Sequence, residues 1–222
     1  MILGSPEWPQ ERLWFWRLAF PPVRALVTAL VPIALEGREH LPASGPYIVA
    51  ANHISWKDPP AIEFALGVAI RYMAKSEVFE APVVGGVLRA IGCFPVRRGE
   101  GDRRAIVTAL RVLAAGQPLG FFPEGHRSVD GALQQGRAGI GLLALRSGVP
   151  VLPVAITGTP DARPRVPPRR EIVVCLGAAF RAADLAEAER ADEQAVADAV
   201  MRRIAALLPA RLRGEYSGSA ST

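Results

Sequence analysis

Short apolar runs alternate with helical patterns along most of this 222-residue chain. An uninterrupted apolar run bounded by turn residues is typical of a buried strand, whereas apolar residues recurring every three to four positions indicate a helix. The predicted strands cover residues 46–52, 69–74, 92–96, 118–123, 149–156 and 171–177. The predicted helices cover residues 59–66, 102–116, 136–148 and an amphipathic stretch from 184 to about 208. This alternation predicts a single α/β domain in which helices flank a mixed, largely parallel sheet.

The N-terminal segment has a different character. Between residues 13 and 35, four aromatic residues and two arginines mingle with aliphatic residues, which is typical of a helix lying in the headgroup layer of a membrane. Its longest uncharged stretch, residues 25–35, is shorter than the roughly 18 residues that a membrane-spanning helix needs. Packing of this helix on its own domain is the alternative. Residues 1–12 lack the basic leader of a signal peptide, so secretion is not expected.

We therefore expect three parts. Residues 1–35 form a membrane-associating helical segment, residues 36–213 form the α/β domain, and residues 214–222 have a composition typical of disorder.

Composition and charge narrow the choice of partners. The chain has 26 basic and 21 acidic residues and a net charge of +5, which favours partners that carry phosphate or an anionic membrane surface. Nearly all the basic residues are arginines, and the base composition of the genome explains that bias as well as binding does. The two cysteines have no zinc-like spacing to histidine, so they predict neither a disulfide framework nor a metal site and fit a reduced, cytosolic setting.

The stretch NHISWKDP places His53 and Asp58 on a loop between a predicted strand and a predicted helix. A carboxylate beside an imidazole fixes its tautomer and stabilises the imidazolium that forms when the ring takes a proton. His53 is therefore a candidate general base. The alternative is that Asp58 only caps the helix while His53 fills a turn.

Two further stretches suggest a phosphate site. In FFPEGHRS, Gly125 would let backbone N–H groups approach a ligand, and Arg127 could make a forked contact with phosphate. In GCFPVRRGEGDRRA, arginines flank a predicted strand-to-helix junction, where guanidinium groups and a helix N-terminus together attract phosphate. These arginines are Arg97, Arg98, Arg103 and Arg104.

Together these stretches resemble the glycerolipid acyltransferases typified by 1-acylglycerol-3-phosphate acyltransferase. That family has four blocks, present here in the same order as NHISWKD, GCFPVRR, FPEGHRS and VPVLPV, from Asn52 to Val154. One position departs from the family pattern, because His126 stands where the third block usually has threonine. A tolerated loop substitution is favoured there over a second acid or base, since one base suffices.

The resemblance implies transfer of a fatty acyl group from acyl-CoA or acyl carrier protein to the free hydroxyl of 1-acylglycerol 3-phosphate, which makes phosphatidic acid. On that basis His53 is the general base, Asp58 orients it, and no acyl-enzyme forms. Arg98 matches the arginine that ends the second block, Arg104 matches a basic position that often follows that block, and the third block contributes Glu124, Gly125 and Arg127. These residues would bind the acceptor phosphate or order the site. The expected location is the cytoplasmic face of the cell membrane, as a peripheral or monotopic protein, with no cofactor, metal or nucleic acid.

Three alternatives stay open at this point. Cys93 could be the nucleophile of a Cys-His thioesterase. The chain could instead be a non-catalytic lipid-binding domain, although an intact His53 and Asp58 argue against that. An acyltransferase could also use glycerol 3-phosphate, another lysolipid or an amine-bearing lipid as its acceptor.

Overall fold

The computed structural model describes residue 18 and the ranges 20–96, 103–164 and 172–218. A seven-stranded sheet forms its centre. Its strands are β1 (Ile33–Glu36), β2 (Ile48–Ala51), β3 (Arg71–Lys75), β4 (Phe94–Val96), β5 (Leu119–Phe121), β6 (Val151–Thr157) and β7 (Ile172–Leu176). They lie in the order β1-β7-β6-β2-β5-β3-β4, and every neighbouring pair is parallel except β6 with β7. The predicted mixed, largely parallel α/β sheet is confirmed.

Helices cover both faces of this sheet. They are α1 (Phe20–Leu30), α2 (Asp58–Leu66), α3 (Pro82–Ala90), α4 (Arg103–Ala114), α5 (Gly139–Ser147), α6 (Glu187–Arg190) and α7 (Glu193–Leu207). One core cluster joins α4, α5 and α7 to the sheet, and a second joins α2 to the opposite face. Strands β2 and β6 are the most deeply buried, because helices pack on them from both sides.

The crossover connections explain which helices share a face. The chain runs from β2 through α2 to β3 and from β3 through α3 to β4, each time toward the same edge of the sheet. It then runs back through α4 to β5 and through α5 to β6. Because such crossovers are right-handed, α2 and α3 lie on one face of the sheet and α4 and α5 on the other.

The N-terminal prediction needs a correction. Residues 33–36 form strand β1, which pairs with β7 in parallel register, so the end of the expected membrane segment belongs to the sheet. Helix α1 packs on α2, where the rings of Phe20 and Phe64 stack at 5.6 Å and Arg24 Nε donates a 2.6 Å hydrogen bond to the Phe64 carbonyl. Residues 1–17 lie outside the described ranges. Among the helices that are described, none has both the length and the apolar character to cross a bilayer.

The tail prediction is wrong for its first residues. Gly214–Tyr216 form a 3-10 helix, and Tyr216 is buried. The Tyr216 hydroxyl donates to Asp198 Oδ1 at 3.0 Å and accepts a hydrogen bond from the Gly136 N–H at 3.2 Å. The chain end is thus tied both to α7 and to the loop that precedes α5. Residues 219–222 are outside the described ranges.

Candidate active site

Three neighbouring strands deliver the candidate catalytic residues to one edge of the sheet. His53 follows the carboxyl end of β2, Glu124 follows β5, and Thr159 follows β6. Strands β6, β2 and β5 are adjacent and parallel, so their carboxyl ends meet. This edge is where ligands bind in open α/β sheets.

Asn52 fixes the first of these loops to β6. Its side-chain amide donates to the Ile156 carbonyl at 2.9 Å, and its Oδ1 accepts the Ile156 N–H at 2.8 Å. The side chain therefore bridges β2 and β6 just beyond the point where β2 ends. The sequence patterns alone predict no role for Asn52.

Asp58 is the fully buried partner of His53. Its Oδ2 atom lies 2.8 Å from His53 Nδ1 and accepts the backbone N–H groups of Ile54 and Ser55 at 2.7 Å each. Its Oδ1 atom accepts the hydroxyl of Thr159, which is itself fully buried. The alternative that Asp58 merely caps its helix finds no support, because the hydrogen bonds of its carboxylate go to the preceding loop, to His53 and to Thr159, and α2 has no side-chain cap.

This hydrogen-bond network determines which ring nitrogen of His53 carries the proton. A carboxylate only accepts hydrogen bonds, so the ring of His53 donates from Nδ1 to Asp58. Nε2 then keeps its lone pair and can accept a proton. This is the tautomer that a general base requires.

Aromatic rings hold the imidazole in place. The ring of Phe122 stacks on His53 with centroids 4.1 Å apart and an interplanar angle of 22°. Tyr72 stacks on the same phenylalanine at 5.8 Å, and its hydroxyl lies 3.4 Å from the Pro59 carbonyl at the start of α2. The imidazole therefore lies against a fixed aromatic surface.

Glu124 connects the histidine loop to the segment between β5 and α5. The carboxyl group is buried, with Oε1 accepting the His53 N–H at 2.7 Å and Oε2 accepting the Gln134 N–H at 3.2 Å. The His53 carbonyl accepts the Ser128 N–H at 2.7 Å. Burial raises the pKa of Glu124 to about 7, although both backbone hydrogen bonds act in the opposite direction. Both of its oxygens are occupied by backbone amides in this arrangement.

The backbone conformation at residue 125 favours glycine, and the side chain of Arg137 lies close to it. Its φ angle is 76°, in the left-handed region, and a Cβ atom there would lie 2.8 Å from Nε of Arg137. The side chain of Arg137 therefore rests against this turn. His126 and Arg127 follow it and are exposed.

The arginines predicted around the second block are only partly described. Arg104 is exposed in the first turn of α4. Arg98 lies outside the described ranges. Thr159 and Arg137 were missed by the sequence analysis, because a threonine after a strand and an arginine in a glycine-rich loop carry no local signal for this site.

Cys93 has an environment unlike that of a nucleophile. Burial raises the pKa of its thiol to about 12, and the nearby carboxyl of Glu63 adds to that effect. A reactive cysteine needs its thiolate near neutral pH. The thioesterase alternative therefore loses support. Within the described ranges, no three His, Cys, Asp or Glu side chains are grouped so that they could hold a metal ion.

Known proteins share both the sequence and the fold. The acyltransferase family model matches residues 32–157, which is more than half of the chain. A 1-acyl-sn-glycerol-3-phosphate acyltransferase of Bacillus subtilis is 30% identical over 69% of this chain and 76% of its own length. A lyso-ornithine lipid O-acyltransferase of Pseudomonas aeruginosa is 33% identical over 69% of this chain and 58% of its own length.

A chloroplastic 1-acyl-sn-glycerol-3-phosphate acyltransferase of Arabidopsis thaliana is 34% identical, and the chain spans only 38% of that protein's length. The crystal structure of the 1-acyl-sn-glycerophosphate acyltransferase from Thermotoga maritima superposes with a TM-score of 0.68 at 25% identity. That match covers 91% of this chain and 83% of the other. With the family model matching over the whole dyad and Glu124 region, the chain belongs to the acyltransferase family.

Proposed function

We propose that this protein transfers a fatty acyl group from the thioester of acyl-CoA or acyl carrier protein to the free hydroxyl of 1-acylglycerol 3-phosphate, and so makes phosphatidic acid. The observation that carries the proposal is the 2.8 Å contact between His53 Nδ1 and the buried carboxylate of Asp58. It leaves Nε2 as the atom able to take a proton from an acceptor hydroxyl.

The reaction then follows from that proton transfer. His53 Nε2 accepts the hydroxyl proton while the alkoxide attacks the thioester carbonyl, and Asp58 stabilises the imidazolium. A new C–O ester bond forms and the C–S bond breaks. The departing sulfur takes the proton back from the imidazolium and leaves as a thiol. No covalent intermediate on the protein is needed, which is in keeping with the protonated, half-buried thiol of Cys93.

The phosphate of the acceptor needs a positive site close to this base. In 1-acylglycerol 3-phosphate, the reacting hydroxyl sits on the carbon next to the one that bears the phosphate ester. The proposed cationic ligands are Arg98 and Arg127, which match the basic positions of the two family blocks, and Arg104, which matches a basic position that often follows the second block. Glu124 and Gly125 are proposed to shape the turn that carries Arg127, since both Glu124 oxygens already hold backbone amides.

A second acceptor class is supported by one relative. The Pseudomonas aeruginosa protein is named for a lyso-ornithine lipid, whose headgroup is an amino acid. The other three relatives described above are named for the glycerophosphate acceptor, which we favour. Glycerol 3-phosphate and other lysolipids remain acceptors to be tested.

We also propose that the protein works at the cytoplasmic face of a membrane through the sheet face that carries α2 and α3. Large apolar side chains are exposed on α1 and around α3. They are Val23, Leu26, Leu30, Val78, Val83, Val84 and Val87. Such a surface favours contact with lipid, where the acylated acceptor resides.

An acceptor panel tests the proposed reaction. The protein is incubated in detergent micelles with labelled long-chain acyl-CoA, or with the matching acyl carrier protein thioester, and one acceptor at a time. We expect labelled phosphatidic acid from 1-acylglycerol 3-phosphate at a higher kcat/KM than any product from glycerol 3-phosphate or lyso-ornithine lipid. A preference for lyso-ornithine lipid would show that the proposed acceptor is wrong. The absence of any acylated product, whichever donor and acceptor are combined, would overturn the proposal.

A further inference from the structure

A cavity of about 540 Å³ opens beside Glu124 on the side that faces the loop before α5. Its lining residues are Glu124, His126, Gln134, Gln135, Gly136, Arg137, Ala138 and Gln194. The size lies within the range of small-molecule sites. Because Glu124 also holds the His53 amide, the cavity shares a wall with the candidate catalytic loop.

Arg137 supplies an exposed positive charge to this cavity. Its backbone N–H donates to the Pro123 carbonyl at 2.9 Å, but its guanidinium makes no hydrogen bond or ion pair with any residue in the described ranges. The side chain lies close to Gly125, where a Cβ atom would be 2.8 Å from its Nε atom. An arginine without a protein partner has all its donors available for a ligand.

The other lining groups favour an anion over a cation. Glu124 is the one acid among the described lining residues, and both of its oxygens accept backbone N–H groups. Burial raises its pKa to about 7, so the protein environment disfavours its charge. The remaining side chains contribute the imidazole of His126 and amide groups. An ammonium headgroup would find no free carboxylate here, whereas a phosphate would find a guanidinium and amide donors.

The loop that carries Arg137 is held from the far side. Gln194 Nε2 donates to the Gly136 carbonyl at 2.8 Å, and the Tyr216 hydroxyl accepts the Gly136 N–H. A Cβ at Gly136 would lie 2.5 Å from the side chain of Met201, so this residue has no room to move toward α7. The geometry is therefore set before any ligand arrives, which lowers the ordering cost of binding.

We propose that the phosphate group of the acceptor extends into this cavity and that Arg137 is a further cationic ligand for it, in addition to the arginines proposed from the family blocks, with His126 beside it. The inference rests on the proposed function, since it places the acceptor headgroup next to the base. It adds a ligand that lies outside the family blocks. It also predicts that the protein selects a phosphate-bearing acceptor over one with an amino headgroup.

Equilibrium binding without any acyl donor tests this inference. A short-chain lysophosphatidic acid, kept below its micelle concentration, is titrated into the native protein and into Arg137→Ala, with 1-acylglycerol as the ligand that lacks phosphate. We expect Arg137→Ala to weaken lysophosphatidic acid binding about tenfold or more, as for the loss of a charged hydrogen-bonding partner, and to leave 1-acylglycerol binding unchanged. Arg146→Ala, at an exposed position of α5, is the matched control and should bind both ligands as the native protein does.

Other results would overturn the assignment. Native protein that does not bind lysophosphatidic acid, or Arg137→Ala that binds it within twofold of native, would contradict the site. Equal weakening of both ligands would mean that Arg137 acts through folding. A separate titration with coenzyme A, in which Arg137→Ala binds coenzyme A more weakly but lysophosphatidic acid normally, would assign the cavity to the donor and overturn the proposal. No acyl donor takes part in the lysophosphatidic acid titration, so binding can be measured even if the protein has no transferase activity. In that case phosphate-dependent binding would support the site while the proposed reaction would be wrong.

Discussion

At the residue scale, the candidate site depends on one buried carboxylate. Asp58 is fully buried and is surrounded by donors from its own loop, from His53 and from Thr159. Each donor offsets part of the cost of burying a charge, and together they fix the direction in which the carboxylate meets the imidazole. The hydroxyl of Thr159 is the one contribution from a distant part of the chain.

Replacement of Thr159 by valine tests that contribution. Valine keeps the shape and removes the donor, so we expect kcat to fall about tenfold while KM for both substrates stays near native. Thr159→Ser, which keeps a hydroxyl, should restore most of the rate. Steady-state kinetics of the three proteins measures this, and a valine variant with native kcat would contradict the role.

Glu124 gives the site a dependence on pH. Burial raises its pKa from about 4.5 to about 7, so its carboxylate binds a proton as pH falls through neutrality. A protonated carboxyl cannot accept hydrogen bonds from His53 and Gln134 through both oxygens, and the loop should loosen.

Glu124→Gln imitates that protonated state at every pH. We expect native activity to exceed variant activity most at about pH 8 and above, and the ratio between them to shrink as pH falls below about 7. Initial rates from about pH 5.5 to 9 measure the ratio. A ratio that stays constant across this range would show that Glu124 does not titrate in the active protein.

At the element scale, the sequence predicted the central strands and most helices, but not which strands pair or which elements pack together. Strands β2, β5 and β6 were predicted because each is a short apolar run between turn residues. Helix α3 was missed because paired valines and glycines have weak helix propensity, which packing against residues 76–80 overrides. Strand β1 was assigned to the membrane segment because its pairing with β7 is a long-range contact that no local pattern reveals.

The residues of the candidate site also fall into a group that the sequence predicted and a group that it did not. His53, Asp58, Glu124 and Gly125 could be predicted because family blocks contain them, and the structure brings all four together. Thr159 could not, because its contact with Asp58 arises only when β6 lies beside β2, and Arg137 could not, because its contacts with Pro123 and Gly125 depend on how the segment between β5 and α5 folds back on itself. The buried end of the chain at Tyr216 was hidden by a sequence rich in small polar residues.

Tyr216 should therefore matter for stability. Tyr216→Phe keeps the ring but leaves the Gly136 N–H and Asp198 short of one partner, so we expect a loss of about 1–3 kcal/mol in the free energy of unfolding. Urea denaturation of the native and variant proteins measures this difference. An unchanged midpoint would mean that the hydroxyl contacts add nothing and that the tail is held by its ring alone.

At the scale of the whole molecule, the exposed apolar residues are unevenly distributed. Of the twelve large ones in the described ranges, six lie on α1 and α3, on or beside the sheet face that α2 covers, whereas α4 and α5 on the other face present two, Val107 and Leu145. This asymmetry underlies the proposed orientation at a membrane.

Substitutions at two equally exposed valines can show whether membrane binding depends on one face of the molecule or on exposed apolar surface in general. Val84 in α3 and Val107 in α4 are each 47% exposed but lie on opposite faces. We expect Val84→Asp to weaken binding to lipid vesicles about tenfold, because a charge replaces a side chain that would enter the lipid surface. Val107→Asp should bind as the native protein does. Co-sedimentation with vesicles measures both, and equal losses or no loss in either variant would contradict the orientation.

The most direct test of the central claim is the rate of acyl transfer from labelled acyl-CoA to 1-acylglycerol 3-phosphate by the native protein and by His53→Ala. The acyl donor and lysophospholipid concentrations are kept saturating, and circular dichroism confirms that the variant is folded. If His53 is the general base held by Asp58, native protein makes phosphatidic acid and kcat of the variant falls at least about 100-fold. A folded His53→Ala variant that turns over at the native rate would contradict the account.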